Sequence, residues 1–182
     1  MLVVVFLQQA SSICGKMGRK TILIETERCT IQPFEKEDSS DTKKLFVHPE
    51  VRKFLGGIRE ETYIQESLNR MINPCENEFY WVVREKTTKN LIGLVSLDPH
   101  HDGDFLEVSY QFLPKWWGKG YASEGVQRVL QYAFTDLKQE KIVAETQTAN
   151  ERSCRLLERV GMQLEHKVIR FGAEQAIYSM KA

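Results

Sequence analysis

Trp116-Trp117-Gly118-Lys119-Gly120-Tyr121-Ala122 follows a strand-like run, Leu106 to Leu113, and precedes apolar residues at helical spacing. The stretch therefore reads as a strand, a turn of small residues and a helix N-terminus. Gly118, Gly120 and Ala122 lack bulk at alternate positions, so backbone N–H groups there can approach an anion closely. The helix that follows, from Ala122 and Ser123 onward, aims unpaired N–H groups and its positive dipole end at the same point. Such an end favours an anion by about 0.3–1 kcal/mol. Lys119 adds charge at the rim. The expected ligand is a pyrophosphate spanning several amides. No Gly-Lys-Ser or Gly-Lys-Thr completes a nucleoside-triphosphate loop, and G-x-G-x-x-G is absent. Taken alone, the glycines also fit an ordinary helix entry.

Outward from this turn the periodicity supplies the rest of the fold. Val126, Val129, Leu130, Ala133, Phe134 and Leu137 form a wide apolar helical stripe. Lys141 to Gln147 reads as a strand, lying beside the earlier sheet if the helix is a crossover. Asn150 is a good N-cap for the next helix and Gly161 a good residue just past its end. Met162 to Ile169 and Gln175 to Met180 read as closing strands. Upstream, Arg28 to Phe34 reads as a first strand, and Glu35 to Val47, Pro49 to Leu55 and Glu61 to Met71 as helical segments around a flexible loop, Phe54 to Ile58. Phe79 to Glu85, Leu91 to Leu97 and Leu106 to Leu113 read as an antiparallel meander. The class is mixed α/β (α+β), antiparallel in its first half with one parallel crossover.

With these elements in order, the sequence resembles the GNAT acetyltransferase superfamily, and within it the RimJ/RimL-like branch that acetylates protein N-terminal amines and various small amines. Trp117-Gly118-Lys119-Gly120-Tyr121-Ala122 is similar to the family's acetyl-CoA loop, Gln/Arg-x-x-Gly-x-Gly/Ala. Trp117 stands where Gln or Arg is usual, and tryptophan there is familiar in the branch. Asn150-x-x-Ser153-x-x-Leu156-Leu157-x-x-x-Gly161-Met162 and the opening Glu25 to Ile31 are the other matches, and the resemblance covers about residues 22 to 180. It implies the acyl-CoA N-acyltransferase fold, with helices on both faces of a sheet whose fourth and fifth strands, about residues 106–113 and 141–147, are parallel and splay apart to admit pantetheine. It also implies acetyl-CoA as co-substrate, no metal, and a homodimer as a common state.

Acetyl transfer to an amine needs a held donor, a neutral amine, an oxyanion donor and a proton for the leaving thiolate. Residues 118 to 123 would hold the phosphates, and the resemblance places Asn150 on the pantetheine arm, beside its plain reading as an N-cap. An amide around Ser109 to Gln111 would meet the acetyl oxygen. A protein α-amine of pKa about 7.7–8.0 needs little deprotonation, whereas a lysine-type amine near 10.4 needs much more. Glu107 is the candidate base, with an ordinary surface carboxylate as the alternative. Many superfamily members carry a tyrosine where Leu157 stands here; the resemblance to the branch instead implies Ser153, one turn into the same helix, near the sulfur, with a small residue packed below the cap as the alternative. Phe54, Tyr110 and Phe171, with Trp116, are candidate walls for the acceptor. Several branch members carry an acid about where Ala176 stands, and that role is missing here.

The 182 residues, 42% hydrophobic and 27% charged, suit one domain over 17–182 after an N-terminal extension over 1–16. Lys+Arg and Asp+Glu balance at 25 each, which disfavours nucleic acid and anionic membrane as partners. Cys14, Cys29, Cys75 and Cys154 show no paired spacing, as expected of reduced thiols in a cytoplasmic protein. The apolar run Leu2 to Leu7 is far short of the roughly 20 residues that span a bilayer. His100 and His101, neighbours in a polar turn, are not expected to bind a metal. The reading is an N-acetyltransferase acting on a primary amine, a protein N-terminus or a small amine, with a non-catalytic acyl-CoA-binding domain as the alternative.

Overall fold

The structure, a computed structural model, describes residues 22–182; the extension over 1–16, Cys14 included, lies outside them. Strands β1 (Ile24–Glu25), β2 (Cys29–Pro33), β3 (Phe79–Glu85), β4 (Leu91–Pro99), β5 (Leu106–Phe112), β6 (Lys141–Gln147), β7 (Gln163–Arg170) and β8 (Ala173–Lys181) make one sheet, in the order β1-β2-β3-β4-β5-β6-β8-β7. The helices are α1 (Ser39–Val47), α2 (Pro49–Arg52), α3 (Glu61–Ile72), α4 (Tyr121–Thr135) and α5 (Glu151–Arg159). Every neighbouring pair is antiparallel except β5 and β6, which α4 joins in parallel. The mixed α/β arrangement is the one expected. One strand was missed: Ile24–Glu25 pairs back on β2, so the opening segment is a hairpin whose turn is closed by Thr26 N–H to the Cys29 carbonyl. A two-residue strand is too short to show a period.

Apolar residues at the two characteristic periods explain the layering. On α3, Ile64, Leu68 and Met71 are buried and pack with Leu45, Phe46, Val82 and Leu94 on one sheet face. On α4, Val126, Val129, Leu130 and Ala133 pack with Val83, Val95, Phe112 and Leu157 of α5 on the other. Each fully buried aliphatic side chain contributes roughly 1.5–3 kcal/mol. The two layers grip the sheet and leave its centre line free to open. Between β5 and β6 only Leu106↔Ile142 and Glu107↔Val143 are in register, so the strands part after Glu107.

Candidate active site

The turn before α4 has the backbone its sequence requires. Gly118 and Gly120 adopt φ of +71° and +84°, a region open to glycine and strained for other residues. The first bond of the α4 ladder runs from Glu124 N–H to the Gly120 carbonyl at 3.0 Å. The amides of Tyr121, Ala122 and Ser123 therefore lie ahead of it. Gly118, Gly120, Ala122 and Ser123 line a cleft of about 1550 Å³ that runs along the β5–β6 opening. Lys119 and Tyr121 turn elsewhere: the Lys119 ammonium sits 5.7 Å from the Trp116 ring centroid, and Tyr121 meets that ring edge-on. Neither residue lines the cleft, so the charge expected of Lys119 at the rim points to Trp116 instead.

Arg28, on the turn between β1 and β2, secures this loop. Its guanidinium bonds Glu124 at 2.8 and 2.6 Å, donates to the Lys119 carbonyl at 3.0 Å and lies 4.3 Å from the Tyr121 ring centroid. Its backbone N–H also donates to Glu124, at 3.0 Å. The partners are 96 residues apart, so local pattern carried no signal of the contact.

Further along the cleft, the strand opening exposes backbone. Leu113 N–H bonds the Ile92 carbonyl at 2.9 Å across the β4 side, so by alternation the main-chain groups of Tyr110 point away from β4, into the gap. Of the amides at residues 109–111, that of Tyr110 faces the gap. Its phenol reaches α5, where Tyr110 Oη and Ser153 Oγ are 2.7 Å apart. Burial pushes the Tyr110 hydroxyl well above its ordinary pKa, offset in part by the bond to Ser153. Asn150, whose side chain accepts from Ser153 N–H at 3.4 Å, is the N-cap of α5 and also lines the cleft.

Glu107 stands where the strands part. Asp98 is directly opposite it across the β4–β5 ladder, and Glu145 N–H donates to its Oε1 at 3.3 Å, as does Ser109 Oγ. Burial pushes the Glu107 carboxyl up to about 8, and the charges of Asp98 and Glu145 add to the effect. Burial likewise raises Asp98 to about 6. Three carboxylates thus converge where sequence reasoning found one. Asp98 and Glu145 come from other strands, and register is not a sequence-local property.

Glu145 in turn meets His100 Nε2 at 3.2 Å, His101 Nε2 at 3.7 Å and Arg170 at 3.4 Å. His100 is 7% exposed, so the turn expected to be polar is partly core. The ligand atoms of His100, His101 and Glu145 lie within 4.8 Å of one another, a convergence the sequence did not suggest. Asp102 N–H donates to His100 Nδ1, which puts that ring's proton on Nε2, facing Glu145, and Arg170 supplies positive charge to the same carboxylate. Phe171, at φ of +54° and 54% exposed, closes this end with its ring against His101, while the Phe54 carbonyl accepts from Gln147 at the other wall.

The glycine turn, the parted strands and the carboxylate at the fork thus share one cleft. Residues 28–163 match the family described as "Acetyltransferase (GNAT) domain". The chain belongs to the GNAT acetyltransferase family. A GNAT relative, the Bacillus licheniformis N-acetyltransferase p20, is 31% identical over 148 residues, 77% of this chain and 82% of its own. Among solved structures, a GNAT-family acetyltransferase from Bacillus anthracis superposes with a TM-score of 0.77 at 24% identity, over 88% of this chain and 98% of that one. Spermidine N-acetyltransferase from Vibrio cholerae, solved with CoA and spermine, gives 0.75 at 22% identity, over 86% and 96%. These likenesses share the GNAT fold. Among the described residues no helix is long and apolar enough to cross a membrane.

Proposed function

We propose that this acetyltransferase moves the acetyl group of acetyl-CoA onto a primary amine by direct attack, with both substrates in the cleft together, and that an α-amine suits it best. The reading is carried by Glu107 standing at the point where β5 and β6 part, beside Asp98 and Glu145. The glycine conformations at 118 and 120 and the amides of Tyr121 to Ser123 fit the CoA phosphates. Acetyl-CoA supplies an acyl thioester, and every other part is played by the chain.

Holding donor and acceptor in line is worth roughly 7–11 kcal/mol of the barrier. The Tyr110 amide is positioned to donate to the acyl oxygen. Glu107 takes the amine proton: an ammonium arriving beside three carboxyl groups favours their ionised form, so the base is released by its own substrate. An α-amine of about 7.7–8.0 is already partly neutral at pH 7 and asks little of the base, whereas an amine of about 10.4 asks much more. Ser153, hydrogen-bonded to Tyr110, presents a hydroxyl for the departing sulfur.

The deciding experiment measures thiol release from acetyl-CoA against peptides beginning with Ala, Ser or Met, spermidine and an aminoglycoside. Turnover with α-amine acceptors is the expected result. Turnover confined to spermidine would move the acceptor to small polyamines. CoA binding with no release from any amine would make the domain a non-catalytic acyl-CoA binder.

A further inference from the structure

Arg52 is 4% exposed and lines the acceptor half of the cleft, yet every group that it bonds is neutral. Its Nε donates to the Gly57 carbonyl at 3.1 Å, one terminal nitrogen to Gln111 Oε1 at 3.3 Å and the other to the Leu55 carbonyl. Arg59 joins it, donating to the same Leu55 carbonyl at 2.9 Å, with its ring-facing guanidinium 4.5 Å from the Tyr63 centroid. Arg59 Nε is buried without a hydrogen-bond partner. Among the described residues neither guanidinium makes an ion pair, whereas Arg28, Arg70, Arg84 and Arg170 each do.

Two like charges side by side, one of them buried, oppose folding unless an anion joins them. Burial, and after it the charge of Arg59, pulls the Arg52 guanidinium down to about 10, which records the missing counter-charge. Glu50 and Glu66 also border the cleft, but both are exposed and neither reaches the pair. A guanidinium fork is shaped for a carboxylate or phosphate.

The pair also has a fixed place relative to the carboxylates. Gln111, which Arg52 bonds, is on the same face of β5 as Glu107 and four residues along, about 13 Å between Cα atoms. The acceptor half of the cleft is thus polarised, with three carboxyl groups at one end and two guanidinium groups at the other.

We infer that the acceptor is an amine that carries its own anionic group, its nitrogen directed to Glu107 and its carboxylate to Arg52 and Arg59. This rests on the acetyltransferase reading above and narrows it. A polyamine would leave the two arginines unanswered and bring like charge against them. The competing role for Arg52 is a clamp on the loop Leu55 to Gly57, and it makes no distinction among acceptors.

The test compares acceptors with and without an anion: a short peptide acid and its amide, whose amine lies far from the change, an amino acid and its amide, phosphoethanolamine, and spermidine. Thiol release and, separately, calorimetric binding in the presence of CoA are measured for the wild type, Arg59→Gln and Arg52→Lys. Expected is a preference for acid over amide of roughly ten- to a hundredfold, which Arg59→Gln reduces to near parity through KM. Preference for the free amino acid, the peptide acid or phosphoethanolamine identifies which source of the anion fits. Equal use of acid and amide by the wild type, or equal losses on both in the variants, overturns the inference and leaves the arginines as a loop clamp. Acid-selective binding without thiol release would overturn the transfer reading while upholding the anion site; binding with no selectivity and no release would overturn both.

Discussion

Tyr110 Oη and Ser153 Oγ face each other at 2.7 Å across the opening between β5 and α5. The fold thereby delivers a tyrosine hydroxyl from the strand to a helix whose own position, Leu157, is apolar and buried. If the two hydroxyls act as a unit on the departing sulfur, Tyr110→Phe and Ser153→Ala each lower kcat roughly ten- to a hundredfold with little change in KM, and the double variant is scarcely worse than either alone. Steady-state kinetics on the three variants checks this. Full additivity would mean that the hydroxyls act separately.

Glu107 ties activity to pH. The free enzyme holds this carboxyl up at about 8, so kcat/KM should rise with pH through an apparent value near 8, and Glu107→Gln should flatten that limb and lower the rate. Asp98 opposes Glu107 directly, so the two titrate as a pair and the limb belongs to both.

Stability moves in the opposite sense. The Glu107 carboxyl is raised from its ordinary 4.5, so between about 4.5 and about 8 the folded state keeps a proton that the unfolded chain has lost. Stability therefore falls as pH climbs through that window. Relative to wild type, Glu107→Gln should be more stable at pH 9 than at pH 5, as read from denaturant midpoints at both.

Substitution in the Gly118–Gly120 turn should act selectively on CoA binding. A side chain at Gly120 must adopt φ of +84° and would bring its Cβ to 3.3 Å from the Arg28 guanidinium. Gly120→Ala is expected to weaken CoA binding roughly tenfold, since the strain is about 1–2 kcal/mol and falls on the loop that presents the amides. Arg28→Ala should weaken CoA binding in the same direction, with at most about 1 kcal/mol of stability lost, because its side chain is 40% exposed. Calorimetry with CoA and thermal unfolding separate the two effects.

Gly93 is a purely structural counterpart. It pairs with Phe112 across β4 and β5, and a Cβ there would fall 2.6 Å from Phe112 Cδ1 and nearer still to the Gln111 carbonyl. Gly93→Ala is expected to cost about 1–3 kcal/mol and lower the melting temperature, as scanning calorimetry would show.

Much of this was legible in the chain because the signals are local. The strands Phe79–Glu85 and Lys141–Gln147 fall where alternation and turn residues put them, α4 begins one residue before its expected start, and Asn150 caps α5 as its type and position suggest. The Gly118–Gly120 turn was readable for the same reason, since the conformations it needs are a property of glycine itself. The two-residue β1 was not, being shorter than any period.

What the sequence by itself determined is the order of elements and the glycine turn ahead of α4, both set by residue types within a few positions of one another. Only the tertiary structure decided which side chains meet. Glu107 gains Asp98 through strand register and Glu145 through the parallel crossover, Ser153 gains Tyr110 across 43 residues, and Arg28 gains Glu124 across 96. Charge, burial and proton affinity depend on those distant neighbours, so the chemistry of the cleft exists only once the sheet has closed around it.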